Sequence, residues 1–105
     1  MKLARIERAG LAGPEPRVVA LDLDRGVAID VQRAEQTRLE RLGCTAEAAL
    51  RLARARLPGS LAAGLGSVSY REDLEQAVAS GPPDDAVVAL DEVNWLACES
   101  VRLVP

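Results

Sequence analysis

The strongest constraint on this chain is a pair of alternating runs that meet at a glycine turn. Val19, Leu21 and Leu23 alternate with Ala20, Asp22 and Asp24; then Val27, Ile29 and Val31 alternate with Ala28 and Asp30. Successive side chains of a strand point to opposite faces, so a period of two marks a half-buried strand. Asp24-Arg25-Gly26 lies between the runs, and its glycine can take the positive φ of a tight turn. Together the two runs predict a β-hairpin.

The flanking segments divide by period. Lys2 to Arg8 predicts a first strand with Ala4 and Ile6 on one face, and Gly10 to Pro16, with two glycines and two prolines, predicts a loop. Gln32 to Leu42 is charged and reads as helical in part, ending near Gly43. Thr45 can cap a helix that carries Glu47 in its first turn; Leu50, Ala53 and Leu57 follow at helical spacing until Pro58-Gly59 stops it. Ser60 to Ser67 reads as a short helix and turn anchored by Leu61 and Leu65. Ser69-Tyr70-Arg71-Glu72 matches a capping box, ahead of a buried stripe of Leu74, Ala77 and Val78 that Ser80-Gly81-Pro82-Pro83 ends. The tail returns to strand: Ala86 to Leu90 is apolar, Asp91 to Asn94 is a turn or strand start, and Val101 and Leu103 alternate with Ser100 and Arg102. This order predicts one α+β domain over residues 1–105. Its small, mainly antiparallel sheet takes the N-terminal strands, the hairpin and the C-terminal strand, packed with two or three helices from the middle of the chain.

Composition narrows the chemistry. A chain of 105 residues, 49% hydrophobic, can bury roughly two-thirds of its unfolded surface, enough for one modest core without a disulfide or metal staple. Thirteen basic against sixteen acidic residues give a net charge of −3, which argues against a dedicated nucleic-acid binder. One Trp, one Tyr and no Phe leave little for base stacking or an aromatic cage. The absence of histidine removes Ser-His-Asp and Cys-His catalysis and His-liganded zinc. The opening Met1 to Arg8 has no apolar h-region, so no signal peptide is expected, and no apolar run is long enough to span a bilayer. Cys44 and Cys98 form no C-x-x-C pair and read as reduced, buried thiols of a cytoplasmic protein.

Few residues fit a chemical role. Asp22 and Asp24 share one strand face but lack the further oxygen ligands a cation needs, so they read as a solvated face beside a turn. Asp84-Asp85 and Asp91-Glu92 are adjacent pairs, pointing to opposite faces on a strand, and read as solvated turns. Gly64-Leu65-Gly66 with Ser67 lacks the Lys and Ser/Thr of a P-loop; a small-molecule site there is the weakest reading. Ser60 and Ser67 have no general base, and Arg51, Arg54 and Arg56 read as a solvated helix face. No catalytic, cofactor-binding or metal-binding residue is assigned. Trp95, the largest apolar side chain, is either core or a contact to another chain and is the candidate interface residue.

The order of segments resembles the N-terminal domain of bacterial fumarylacetoacetate hydrolase family enzymes. Met1-Lys2-Leu3-Ala4-Arg5 opens as those chains open, and Val18-Val19-Ala20-Leu21-Asp22 through Gly26-Val27-Ala28-Ile29-Asp30 resembles their second and third strands. Leu57-Pro58-Gly59-Ser60-Leu61 and Glu75-Gln76-Ala77-Val78-Ala79 are similar to their helical segment; Leu90-Asp91-Glu92-Val93 and Ser100-Val101-Arg102-Leu103-Val104-Pro105 are similar to the strand leading out of that domain. Relative to the family, the Gly10 to Pro16 connection is long and Asn94 to Glu99 reads as an insertion. The resemblance implies a catalytic C-terminal domain that binds a divalent metal (Mg, Mn or Ca) and begins where this chain stops, so none of the family's site residues is carried over. It implies a non-catalytic accessory domain or small homologue of an enzyme acting on β-dicarbonyl acids such as acylpyruvates, partnered by that catalytic domain or a partner subunit. The competing expectation is a stand-alone interaction module that homodimerises or binds a partner protein, with no nucleic acid and no membrane involved.

Overall fold

A computed structural model describes residues 1–10 and 13–102, with the side chains from Asn94 onward outside the described residues. Strand β1 (Lys2–Gly10) pairs antiparallel with β2 (Gly13–Asp22), which turns at Gly26 (φ 67°) into β3 (Val27–Asp30). Helices α1 (Val31–Arg41), α2 (Ala46–Arg56), α3 (Leu61–Leu65) and α4 (Tyr70–Ala79) follow; β4 (Val87–Ala89) and β5 (Asn94–Arg102) complete the sheet. The strand order is β4-β3-β2-β1-β5, and every neighbouring pair is antiparallel. The α+β architecture expected from the sequence is the one observed.

Each helix starts and stops for a local reason. Asp30 and Thr45 accept the backbone N–H of Arg33 and Ala48, satisfying one orphan donor each at the starts of α1 and α2. At the end of α1, Gly43 N–H donates to Glu40 O and Cys44 N–H to Leu39 O, a Schellman closure that needs the positive φ of Gly43 (105°). The capping box expected at Ser69 does not form. Ser69 sits at φ −96°, ψ 1°, outside the extended conformation that presents a capping oxygen, and its hydroxyl donates to Asp73 instead.

The segment from Gly10 to Pro16, expected as a loop, is already strand from Gly13 onward; Leu11 and Ala12 lie outside the described residues. Prolines are tolerated where one edge of a strand is unpaired, and β3 covers only residues 19–22 of β2. At the other end of the sheet the β1–β5 register shifts between Ala4 and Ile6, so the stretch read as an insertion is absorbed within β5.

The sheet is apolar on both faces. Leu3, Val18, Ala20 and Ile29 meet Val31, Ala34, Leu57, Leu61, Tyr70, Leu74 and Ala77 of the helical layer. On the opposite face Ala4, Ile6, Val19 and Ala28 are buried with Leu21, Leu90 and Val93 against them. Tyr70 fits the helical layer because Gly64 of α3 has no side chain: a Cβ there would collide with ring atoms Cε1 and Cζ. Burial pushes the Tyr70 hydroxyl up to about 12, so it stays neutral. Replacing Gly64 by alanine is expected to cost about 1–3 kcal/mol, the range for overpacking a core. A thermal melt followed by circular dichroism should show a midpoint lowered by at least about 5 °C. An unchanged midpoint would show that the ring yields.

Candidate functional site

The first half of β2 runs past the end of β3, and a cluster of guanidinium and carboxylate groups gathers there, joined by Arg33 of α1 and Arg54 of α2. Antiparallel register sets Arg8 opposite Glu15 and Ile6 opposite Arg17 in β1 and β2, and Val19 opposite Asp30 in β2 and β3. Alternation then places Arg8, Glu15, Arg17 and Asp30 on one face at one end of the sheet. Asp30 is fully buried and accepts at Oδ2 from Arg8 Nη1 (2.8 Å) and Arg17 Nη1 (3.0 Å), while its Oδ1 caps α1. Arg17 also donates through Nε and Nη2 to Glu15. Arg33, one turn into α1, donates twice to Asp85 Oδ2 (3.0 and 2.8 Å), which raises its pKa, and Arg8 reaches the Asp85 carbonyl at 2.9 Å. Arg54 of α2 stands 3.7 Å from Glu15 Oε2.

Two clefts open on this cluster. One, of about 200 Å³, is lined by Arg8, Ala9, Arg17, Asp30, Arg33 and Asp85. Its neighbour, of about 370 Å³, shares Ala9, Arg17 and Arg33 and adds Gly10, Gln36, Leu50 and Arg54. Such a volume falls within the range of small-molecule sites.

A second buried carboxylate lies between the helices. Glu35 has no solvent exposure, receives both Nε and Nη2 of Arg38 (2.6 and 2.9 Å), and accepts Arg56 Nη1 at 2.9 Å. Burial alone raises its pKa, but the hydrogen bonds and charges of the two arginines outweigh that, and the net shift is downward from 4.5. A carboxylate whose folded pKa is depressed contributes stability that is full above its unfolded value and is lost as pH falls through the folded one. The urea midpoint of the wild type should therefore exceed that of Glu35→Gln at pH 6, with the gap narrowing as pH drops toward 3. A gap that stays constant across this range would contradict the ion-pair account.

The residues singled out in the sequence are dispersed. Asp22 accepts the Arg25 N–H at 3.2 Å and so shapes the hairpin turn, while Asp24 is exposed. Asp85 holds Arg33, and Asp91 and Glu92 are exposed in a 3-10 turn. Gly64 makes room for Tyr70, and Ser60 caps α3 through Ala63 N–H. Of the three arginines read as a solvated face, Arg51 fits that description, paired with Glu47 at the surface, whereas Arg54 and Arg56 reach Glu15 and Glu35. Cys44 is half-buried and free. Trp95 pairs with Ile6 through the β5 ladder; its indole, like the Cys98 thiol, lies outside the described residues. The described Cys, Asp and Glu side chains form no group of three that could hold a metal ion. No described helix is long and apolar enough to cross a membrane. The arginine cluster had no signature in the sequence, because its members come from β1, β2, α1, α2 and a 3-10 turn at residues 84–86.

Fold and site together define a small α+β domain with an arginine-rich polar end. Comparison with known protein families, curated proteins and solved structures finds no match.

Proposed function

We propose that this chain is the non-catalytic accessory domain, or a small homologue, of a cytoplasmic fumarylacetoacetate-hydrolase-like enzyme acting on β-dicarbonyl acids such as acylpyruvates. The observation that carries this reading is the commitment of the buried acids: Asp30 is held by Arg8 and Arg17, and Glu35 by Arg38 and Arg56. Carboxylates fixed between guanidinium groups serve as structural pins and do not fit the role of ligands to the divalent metal that the family's catalytic domain binds. That metal, a Lewis acid for an oxo-acid substrate, would belong to the catalytic domain, and this chain would pack beside it.

An antibody against this chain should reveal a native polypeptide much larger than 11.1 kDa in source-cell lysate. The isolated chain, given magnesium and an acylpyruvate, should show no turnover. Appreciable turnover would overthrow the assignment. A native band at 11.1 kDa would exclude a domain fused to the catalytic one, leaving a small homologue or the alternative of a stand-alone module that homodimerises or binds a partner. That second reading draws its support from β5, the last strand of the described sheet, since an edge strand is where another chain can add its own.

A further inference from the structure

We infer that the cleft between β1, β2, α1 and α2 is a binding site for a small organic dianion, one carrying a phosphate or a pair of carboxylates. The two adjoining clefts differ in charge. The smaller contains Asp30 and Asp85 beside its three arginines and is already neutralised. The larger is lined by Arg17, Arg33 and Arg54 with the amide of Gln36, and no carboxylate is among its described lining residues. The acids that hold these arginines grip them from outside that lining, so the guanidinium groups are oriented before any ligand arrives.

Donors are left over. Each guanidinium carries five N–H groups. Arg17 uses three, on Glu15 and Asp30, and Arg33 uses two, on Asp85. Arg54 reaches Glu15 only at 3.7 Å, beyond hydrogen-bond distance, and donates to no other acceptor among the described residues. Planar forks of this kind match the oxygens of phosphate and carboxylate, and three around one cleft favour a doubly charged group over a single one. Leu50, Ala9 and Gly10 complete the wall, giving an apolar surface for a short carbon body. Glu15, Asp30 and Asp85 balance these charges from behind, so the cleft presents guanidinium N–H groups with no carboxylate in its described lining, an arrangement that the oxygens of an anion complete. This site is independent of the accessory-domain reading and of the glycine-rich segment at residues 64–66.

The test is a titration of the full chain with inorganic phosphate and, separately, with succinate, at fixed ionic strength, followed by amide NMR shifts of Gly10, Gln36 and Leu50. Saturable shifts confined to these residues are expected with at least one probe. Arg54→Gln should weaken the affinity by at least about fivefold, the loss expected for a charge-assisted contact. Arg51→Gln, on the same helix but outside the cleft, should leave it unchanged. Both sites are exposed, so both variants should fold. Saturation by phosphate alone would identify a phosphorylated ligand, by succinate alone a dicarboxylate, and by both a site that accepts either dianion. Shifts that stay linear with both probes, or equal losses from Arg54→Gln and Arg51→Gln, would overturn the proposal.

Discussion

Asp30→Ala should destabilise the domain by about 3–5 kcal/mol, the cost of removing one partner from a buried ion pair. The aspartate is fully buried and does two jobs at once. Its Oδ1 satisfies the Arg33 N–H at the start of α1, and its Oδ2 takes one N–H each from Arg8 and Arg17. Loss of the cap alone accounts for about 1 kcal/mol. The larger part comes from Arg17, whose side chain is 13% exposed and would keep only Glu15 as partner in a partly desolvated place. Asp30→Asn retains an oxygen for the cap and should lose less. Urea denaturation of the three proteins measures both differences. A loss below about 1 kcal/mol for the alanine variant would mean that the cluster relaxes into water when its centre is removed.

The other large effect is expected at Leu74. It sits in the middle of α4 with no solvent exposure, in the cluster that joins Leu3, Val18, Leu57, Leu61 and Tyr70. Leu74→Ala should cost about 2–5 kcal/mol, combining lost transfer energy with the cavity left behind. Leu52→Ala, on the exposed side of α2 at 45% exposure, should cost about 0.5 kcal/mol or less. Domains of this size hold about 5–15 kcal/mol in total, so the Leu74 variant should unfold at markedly lower urea than the Leu52 one. Equal midpoints for the two variants would show that the helical layer is not the core described above.

Much of the fold is legible along the chain because its causes are local. The hairpin with its glycine at 26, the Thr45 cap and the breakers at Pro58 and Gly81 all act within a few residues of themselves, although Leu23, expected in the strand, falls in the exposed turn and Val31 is the first residue of α1. Where local reading fails, a neighbour in space has intervened. Gly13 to Pro16 looks like a loop by composition, yet β1 supplies a ladder that makes it strand. Ser69 and Glu72 have capping-box spacing, yet the tight turn from Ser67 to Tyr70 leaves Ser69 in the wrong conformation to cap. Gly64 carries in the sequence only a weak hint of a small-molecule segment, whereas its role is set by the Tyr70 ring beside it.

The candidate site was hidden for a related reason. Arg8 bonds to the carbonyl of Asp85 across 77 positions, Arg33 to the Asp85 carboxylate across 52, and Arg56 to Glu35 across 21. A charged side chain in sequence is compatible with open solvent or with any opposite charge, and neither period nor spacing says which. The sequence by itself determined the order of strands and helices and several of their ends, since backbone preferences and apolar periodicity are properties of neighbouring residues. Only the tertiary structure decided which acid meets which arginine. That choice follows from strand register and from the packing of α1 and α2 past the uncovered half of β2, which set the few ångströms on which an ion pair depends.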